Sequence, residues 1–220
     1  MAYNFSPRII TDGLVLYLDA ANTKSYPGSG TTWSDLSRGR NDGVLTNSPT
    51  FNSANGGSIV FDGNNDYVIT NFTSSLLDFT VCAWFKENIT SNYSRIVDKS
   101  YINGFWLGKQ FGSNNTWGGG VKQASDPYGV YITLTPNVWH FICISRSNTS
   151  LFIYGDGVTN TNSTTVSNTA LDSTQLRIGG SDQQVGDYFR GNISYVSIYN
   201  RALSTQEIYQ NYNTTKNRYN

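Results

Sequence analysis

The residues best suited to chemistry in this chain are aromatic. Between positions 101 and 131 lie Tyr101, Trp106, Trp117, Tyr128 and Tyr131, interleaved with Asn103, Lys109, Asn114, Asn115 and Asp126. Flat rings beside amides and charges suit carbohydrate. A ring covers the C–H face of a sugar, and the polar groups exchange hydrogen bonds with its hydroxyls. Trp117 is the leading candidate contact, because Gly118-Gly119-Gly120 follows it and places little bulk beside the indole. Trp84 and Trp139 lie in continuous apolar runs and read as core.

Other chemistries find less support. A glycosidase needs two carboxylates flanking the scissile bond, about 5–5.5 Å apart for retention or 6.5–9.5 Å for inversion. The only glutamates are Glu87 and Glu207, one at a strand end and one near the C-terminus, and Asp98 is the only carboxylate inside a middle strand. His140, the single histidine, opens the apolar run Trp139-His140-Phe141 and reads as a structural position. A catalytic triad would also require a nucleophile and an orienting acid beside it. One His and two Cys exclude Cys₄ and Cys₂His₂ zinc sites. Cys82 and Cys143 sit in separate apolar runs, and two buried free thiols are favoured over a cross-strand pair. Asp19, Asp35, Asp62 and Asp66 lie in loops where they could collect a calcium ion, with turn and cap chemistry as the competing reading.

Composition narrows the class. Of 220 residues only 14% are charged, and 15 Lys+Arg balance 15 Asp+Glu. Without a field of one sign, binding to nucleic acid is not expected. No apolar run reaches the roughly 18 residues of a membrane-spanning helix. The opening MAYNFSPRIITDG lacks the basic-then-apolar pattern of a signal peptide, so export by the usual route is not expected. The Asn-x-Ser/Thr triplets at Asn71, Asn88 and Asn192 fit chance in a chain rich in these residues, and no glycosylation is expected.

The positioning elements are short strands separated by Gly, Asn, Asp, Ser and Thr. Strands are expected at 13–19, 58–61, 66–70, 79–85, 95–99, 104–109, 118–123, 130–134, 139–145, 151–154, 175–178 and 193–199. Asp62-Gly63-Asn64-Asn65 signals a hairpin. Trp33 is expected to anchor the loop before it, and the Ser/Thr/Asn stretch 159–168 to decorate a loop. The first and last strands should pair in one sheet. Ser204-Thr-Gln-Glu207 has capping-box spacing and starts the one expected helix. The pattern is that of an all-β sandwich or barrel with a short C-terminal helix. No linker or repeat divides it: residues 1–12 form an N-terminal arm and 13–220 a single domain.

The chain resembles the laminin-G-like, concanavalin A-like jelly-roll domains, which implies an all-β, two-sheet antiparallel jelly-roll β-sandwich with a short C-terminal helix. Four stretches carry the resemblance: Gly13–Asp19 with Trp33-Ser-Asp35-Leu-Ser37 and Asn41-Asp-Gly43; Ile59–Gly63 with Asp66-Tyr67-Val68; Phe79–Phe85 with Val138–Phe141; and Phe189–Ser204. The wording Leu18-Asp-Ala-Ala-Asn22, Ser25-Tyr26-Pro27-Gly28 and the ending Asn211–Tyr219 is similar to versions encoded by tailed bacteriophages, which are mostly virion appendages or tail fibres. The resemblance implies that the middle strands form a concave ligand face and that His140 is structural. The Glu-x-Asp-x-x-Glu strand of the family's hydrolases is missing. Some relatives hold structural calcium through an Asp at the position of Ser194, and a hydroxyl there weakens that expectation; calcium stays open as a cofactor, with no ligands assigned. The implied function is a non-enzymatic virion surface protein, on capsid or tail, that binds host-surface or environmental glycans. The expected partners are glycans and other virion proteins, with no nucleic acid or membrane and the homo-oligomeric state open. The alternatives are a capsid decoration or tail assembly protein without a sugar ligand and, third, a glycoside hydrolase.

Overall fold

Alternation of apolar and polar residues drives much of the chain into strands, and the exceptions mark where both faces are covered. In chain order the strands are β1 (Leu14–Asp19), β2 (Thr32–Trp33), β3 (Gly43–Thr46), β4 (Thr50–Asn52), β5 (Ser58–Asp62), β6 (Tyr67–Thr70), β7 (Phe79–Glu87) and β8 (Ser94–Lys99). They continue with β9 (Phe105–Lys109), β10 (Thr116–Val121), β11 (Gly129–Thr133), β12 (His140–Ser147), β13 (Ser150–Gly155), β14 (Asn160–Thr165), β15 (Arg177–Ile178) and β16 (Arg190–Tyr199). Helix α1 (Thr205–Thr215) and a 3-10 turn at Lys216–Arg218 follow. The computed structural model describes residues 8–88, 94–100, 104–109, 115–121, 129–157, 160–166, 174–181 and 187–219.

Two antiparallel sheets face each other. The first runs β14-β13-β12-β7-β16-β5-β4, with β1 also paired to β16. The second runs β11-β10-β9-β8-β15-β6-β3-β2. The first and last strands pair as expected, Leu18 opposite Val196. Between the sheets lies the main core, which includes Leu16, Trp33, Phe61, Phe79, Phe85, Leu107, Trp117, Ile144 and Phe189. Trp33 is fully buried in it and anchors its loop.

A second apolar layer lies on the outside of the first sheet. Trp84, Phe141, Tyr195 and Tyr199 form it, with Leu203 and Ile208 packed over them. Tyr219 stacks on Trp84 at 4.1 Å and packs on Trp139 at 4.8 Å, and Trp84 Nε1 donates to Thr215 at 2.7 Å. The helix therefore makes β7, β12 and β16 buried on both faces, which explains their unbroken apolar runs. Trp139 is half-buried rather than core, because its indole N–H reaches out to Asn55. The described part of the expected N-terminal arm is also tied here: Ile10 N donates to Asn211, Tyr199 OH donates to Ile10 O, and Gln210 donates to Arg8 O.

Three expectations are corrected. Cys82 and Cys143 are directly opposite on β7 and β12, 4.1 Å apart at Cα, and form a disulfide instead of two free thiols. Asp62–Asn65 does not close a hairpin: β5 belongs to the first sheet and β6 to the second, so the turn crosses between sheets. Gly63 takes a positive φ there, and Asp62 accepts from the backbone of Asn64 while Asp66 accepts from Asp62 N. The polar segment expected to decorate a loop contains β14, an edge strand held by β13. It lacks apolar residues because both its faces meet solvent, with Thr161, Asn162, Ser163 and Thr165 exposed.

Candidate carbohydrate-binding face

Strand parity decides which aromatics can meet a ligand. On β10, Trp117 and Val121 point into the core, so Gly118 and Gly120 point outward. Trp117 is 2% exposed, with its ring 4.3 Å from Phe85 and 6.5 Å from Phe189. Its role as leading sugar contact is therefore corrected. The glycines beside it open space on the opposite face, and the ring of Tyr131 uses that space. A Cβ at Gly118 or Gly129 would collide with this ring. Lys109 is also withdrawn from the face, since it points inward and pairs with Glu87 at 2.7 Å across the two sheets. Tyr101, Tyr128, Asn103, Asn114 and Asp126 lie outside the described residues.

Trp106 and Tyr131 do lie on the outward face of the second sheet, with ring centroids 6.2 Å apart. Trp106 alternates with the core residues Phe105 and Leu107. The Arg95 guanidinium covers its ring at 4.5 Å, and only 8% of Trp106 stays exposed. Trp106 thus backs the face instead of forming an open platform. Arg95 also approaches Asp98 at 3.5 Å and Asp187 at 3.4 Å. Burial raises the Asp187 carboxyl above its ordinary pKa, and Arg95 offsets part of that rise.

The ladder extends the face. Register places Trp106 beside Asp98, Asp98 beside Arg177, and Arg177 beside Ile69, which pairs with Val44. Arg177 lies over the Tyr67 ring at 4.7 Å and donates to Ser181 O at 3.1 Å. Tyr67, Ile69, Tyr131 and Arg177 are half-buried and Val44 is exposed. The result is a surface of rings and guanidinium planes with buried carboxylates behind it. Sequence reading missed Arg95, Arg177 and Tyr67. Tyr67 and Arg177 are far apart in the chain and meet only because the two-residue strand β15 slots between β6 and β8.

Residues considered for catalysis or metal are occupied otherwise. His140 Nδ1 lies 2.7 Å from Asp156 and Nε2 lies 2.6 Å from Thr135 O. Asp35 accepts from Tyr17 N, Ser37 N and Asn41 N, which is turn chemistry. Asp19 accepts two bonds from Arg218 Nη1, at 2.8 and 2.9 Å. Ser194 Oγ donates to Gly57 O at 2.6 Å and accepts from Tyr219 OH at 2.9 Å. These residues do not fit a calcium ion: the carboxylate is neutralised by a guanidinium, and the hydroxyl and carbonyl are bonded to each other. Among the described residues no cluster of three or more His, Cys, Asp or Glu is placed to hold a metal.

Residues 62–209 match a laminin-G-type family model described as the concanavalin A-like lectin/glucanases superfamily. The chain belongs to the concanavalin A-like lectin/glucanase superfamily. No sequence among the curated proteins matches it. Among solved structures, this lectin-like domain is similar to the binding domain of botulinum neurotoxin DC in complex with SialylT. The TM-score is 0.73 and the identity 16%, over 94% of this chain and 52% of that one. It is also similar to domain 4 of AbnA, a GH43 extracellular arabinanase from Geobacillus stearothermophilus, in complex with arabinotriose. There the TM-score is 0.67 and the identity 15%, over 91% of this chain and 98% of that one. A third is the type G neurotoxin receptor binding domain, with TM-score 0.70 and 13% identity over 91% and 51% of the two chains. The chain spans about half the length of the neurotoxin domains. These likenesses show the fold.

Proposed function

We propose that this protein is a non-catalytic glycan-recognition module displayed on the surface of a tailed-phage particle. The observation that carries the glycan reading is the outward face of the second sheet, where half-buried Tyr131, Arg177 and Tyr67 stand beside buried Trp106 and Arg95. Rings and guanidinium planes suit the faces and hydroxyls of sugars. The nearly full coverage of AbnA domain 4, whose structure contains arabinotriose, supports the ligand class. A binding role fits the carboxylates better than hydrolysis does. Asp98 and Asp187 are both buried against Arg95, whereas a hydrolase needs its pair open to substrate and water. The Cys82–Cys143 bond is consistent with service outside a reducing compartment. Display in many copies would supply avidity to a weak site.

The test is a glycan array probed with the multimerised protein, followed by Tyr67→Ala and Arg177→Ala. Retention on a sugar class is expected, with at least a tenfold loss in either variant. Silence across the array would overturn the reading in favour of a decoration protein. Mass spectrometry of purified particles tests display, and absence of the chain from them would sink that half.

A further inference from the structure

The outer face of the first sheet is not sealed along its whole width. The strands β7, β12 and β16 are buried on both sides under α1, but β13 alternates: Leu151 and Ile153 are buried, while Phe152 and Tyr154 are half-buried on the outer side. The two rings are near-parallel, 6.5 Å apart. Register sets Ser163 beside Phe152 and Thr161 beside Tyr154 on β14. The opposite wall is Thr205 in the first turn of α1. One turn on, the same helix face carries Tyr209, which is 46% exposed. Phe152, Tyr154, Thr161, Asn162, Ser163 and Thr205 bound a groove of about 570 Å³, within the roughly 300–1,000 Å³ of small-ligand sites.

We infer that this groove is a second saccharide site, for a short neutral oligosaccharide. The chemistry selects the class. The floor is two aromatic rings on one strand, spaced to lie under consecutive sugar units. The rim is Thr161, Ser163 and Thr205, whose hydroxyls both donate and accept, as sugar hydroxyls do. None of the lining residues carries a charge, so nothing in the groove would pair with a sialic acid, sulfate or uronate carboxylate. Asn162 fixes the rim: its Nδ2 donates to Tyr131 O on the second sheet, and its Oδ1 accepts from Ser163 N. The face containing Arg177 differs, because that half-buried guanidinium also suits acidic sugars. The module therefore presents two unlike surfaces on opposite sides of the sandwich, and one copy can bridge two glycan chains.

The ligand class rests on the glycan-recognition reading, but the residues are separate and so is the test. Maltotriose, cellotriose and arabinotriose, with sialyllactose as the charged control, are titrated against the protein by ligand-observed NMR. The variants are Phe152→Ala and Thr161→Trp. Thr161 is exposed on an edge strand, so the added indole fills the groove without disturbing the core. At least one neutral trisaccharide should bind at millimolar concentration or tighter. It should weaken at least tenfold in both variants and stay unchanged in Lys24→Ala, a substitution at an exposed residue outside the groove lining. Binding that survives both groove variants, or no neutral trisaccharide binding, overturns the inference. Neutral trisaccharide binding lost in Arg177→Ala but kept in both groove variants would likewise overturn the inference and leave the reading of the first face standing.

Discussion

His140 is the single histidine of the chain, so its imidazole signal needs no assignment. Its two nitrogens face the Asp156 carboxylate and the Thr135 carbonyl, both acceptors, and only the doubly protonated ring can donate to both. Burial works against the charged form, but Asp156 and Thr135 outweigh it and the pKa is raised above 6.5. A group with a raised folded-state pKa contributes stability that is fully present below about 6.5, the unfolded value, and is lost as pH rises through the folded value. NMR titration should therefore place His140 above 6.5, and Asp156→Asn should bring it down. A His140 that titrates below 6.5 in the folded protein would contradict the assignment. At this scale the sequence was only half legible. The apolar run around His140 marked it as structural, but Trp106 and Trp117 look alike in the chain. Their fates diverge because one alternates with core residues and the other is a core residue, and strand parity is invisible until the neighbouring strands are placed.

The start of helix α1 was legible to the residue. Ser204 caps it by accepting from Glu207 N, and the Glu207 side chain accepts from Ser204 N in return. Arg201 binds both Glu207 oxygens, at 2.6 and 3.0 Å, and holds that carboxyl down at about 2. Ser204→Ala should cost about 1 kcal/mol in chemical denaturation. Because Glu207 is depressed, its contribution is present above the usual carboxylate range and lost only as pH falls toward about 2. Unchanged stability in the alanine variant would mean that packing on Trp84 alone holds the helix. That packing was not legible: capping boxes start helices, but nothing in their spacing says which sheet they cover. The short strands β2, β3, β4 and β14 were missed for a related reason. Each is polar or only a few residues long, and its register comes from a partner strand rather than from its own pattern. The cysteines carry the same lesson, since their sequence separation of 61 residues becomes one cross-strand position only when β7 and β12 align.

At the scale of the molecule, residues at the two ends of the chain close on one point. Asp19 ends β1 with no exposed surface, and the Arg218 guanidinium binds it across 199 positions of sequence. Tyr17 OH donates to the same carboxylate, and burial followed by that negative neighbour pushes the Tyr17 phenol far above its ordinary range. Tyr219 reaches Ser194 beside it, and Asn55 donates to Arg218 O. A cation supplied by the chain thus neutralises Asp19, one of the carboxylates considered for calcium, and ties the C-terminal turn to the start of the sandwich. Removing the guanidinium leaves a buried carboxylate short of its strongest partner, a loss of roughly 2 kcal/mol for hydrogen bonds to a charged group. Arg218→Ala should therefore lower the thermal midpoint, whereas neither EDTA nor added calcium should move that of the unaltered protein. A midpoint that falls in EDTA would show that a metal, not Arg218, neutralises this end of the fold. Recovery of the Arg218→Ala variant by millimolar calcium would show instead that an added cation can neutralise Asp19 once the internal one is gone.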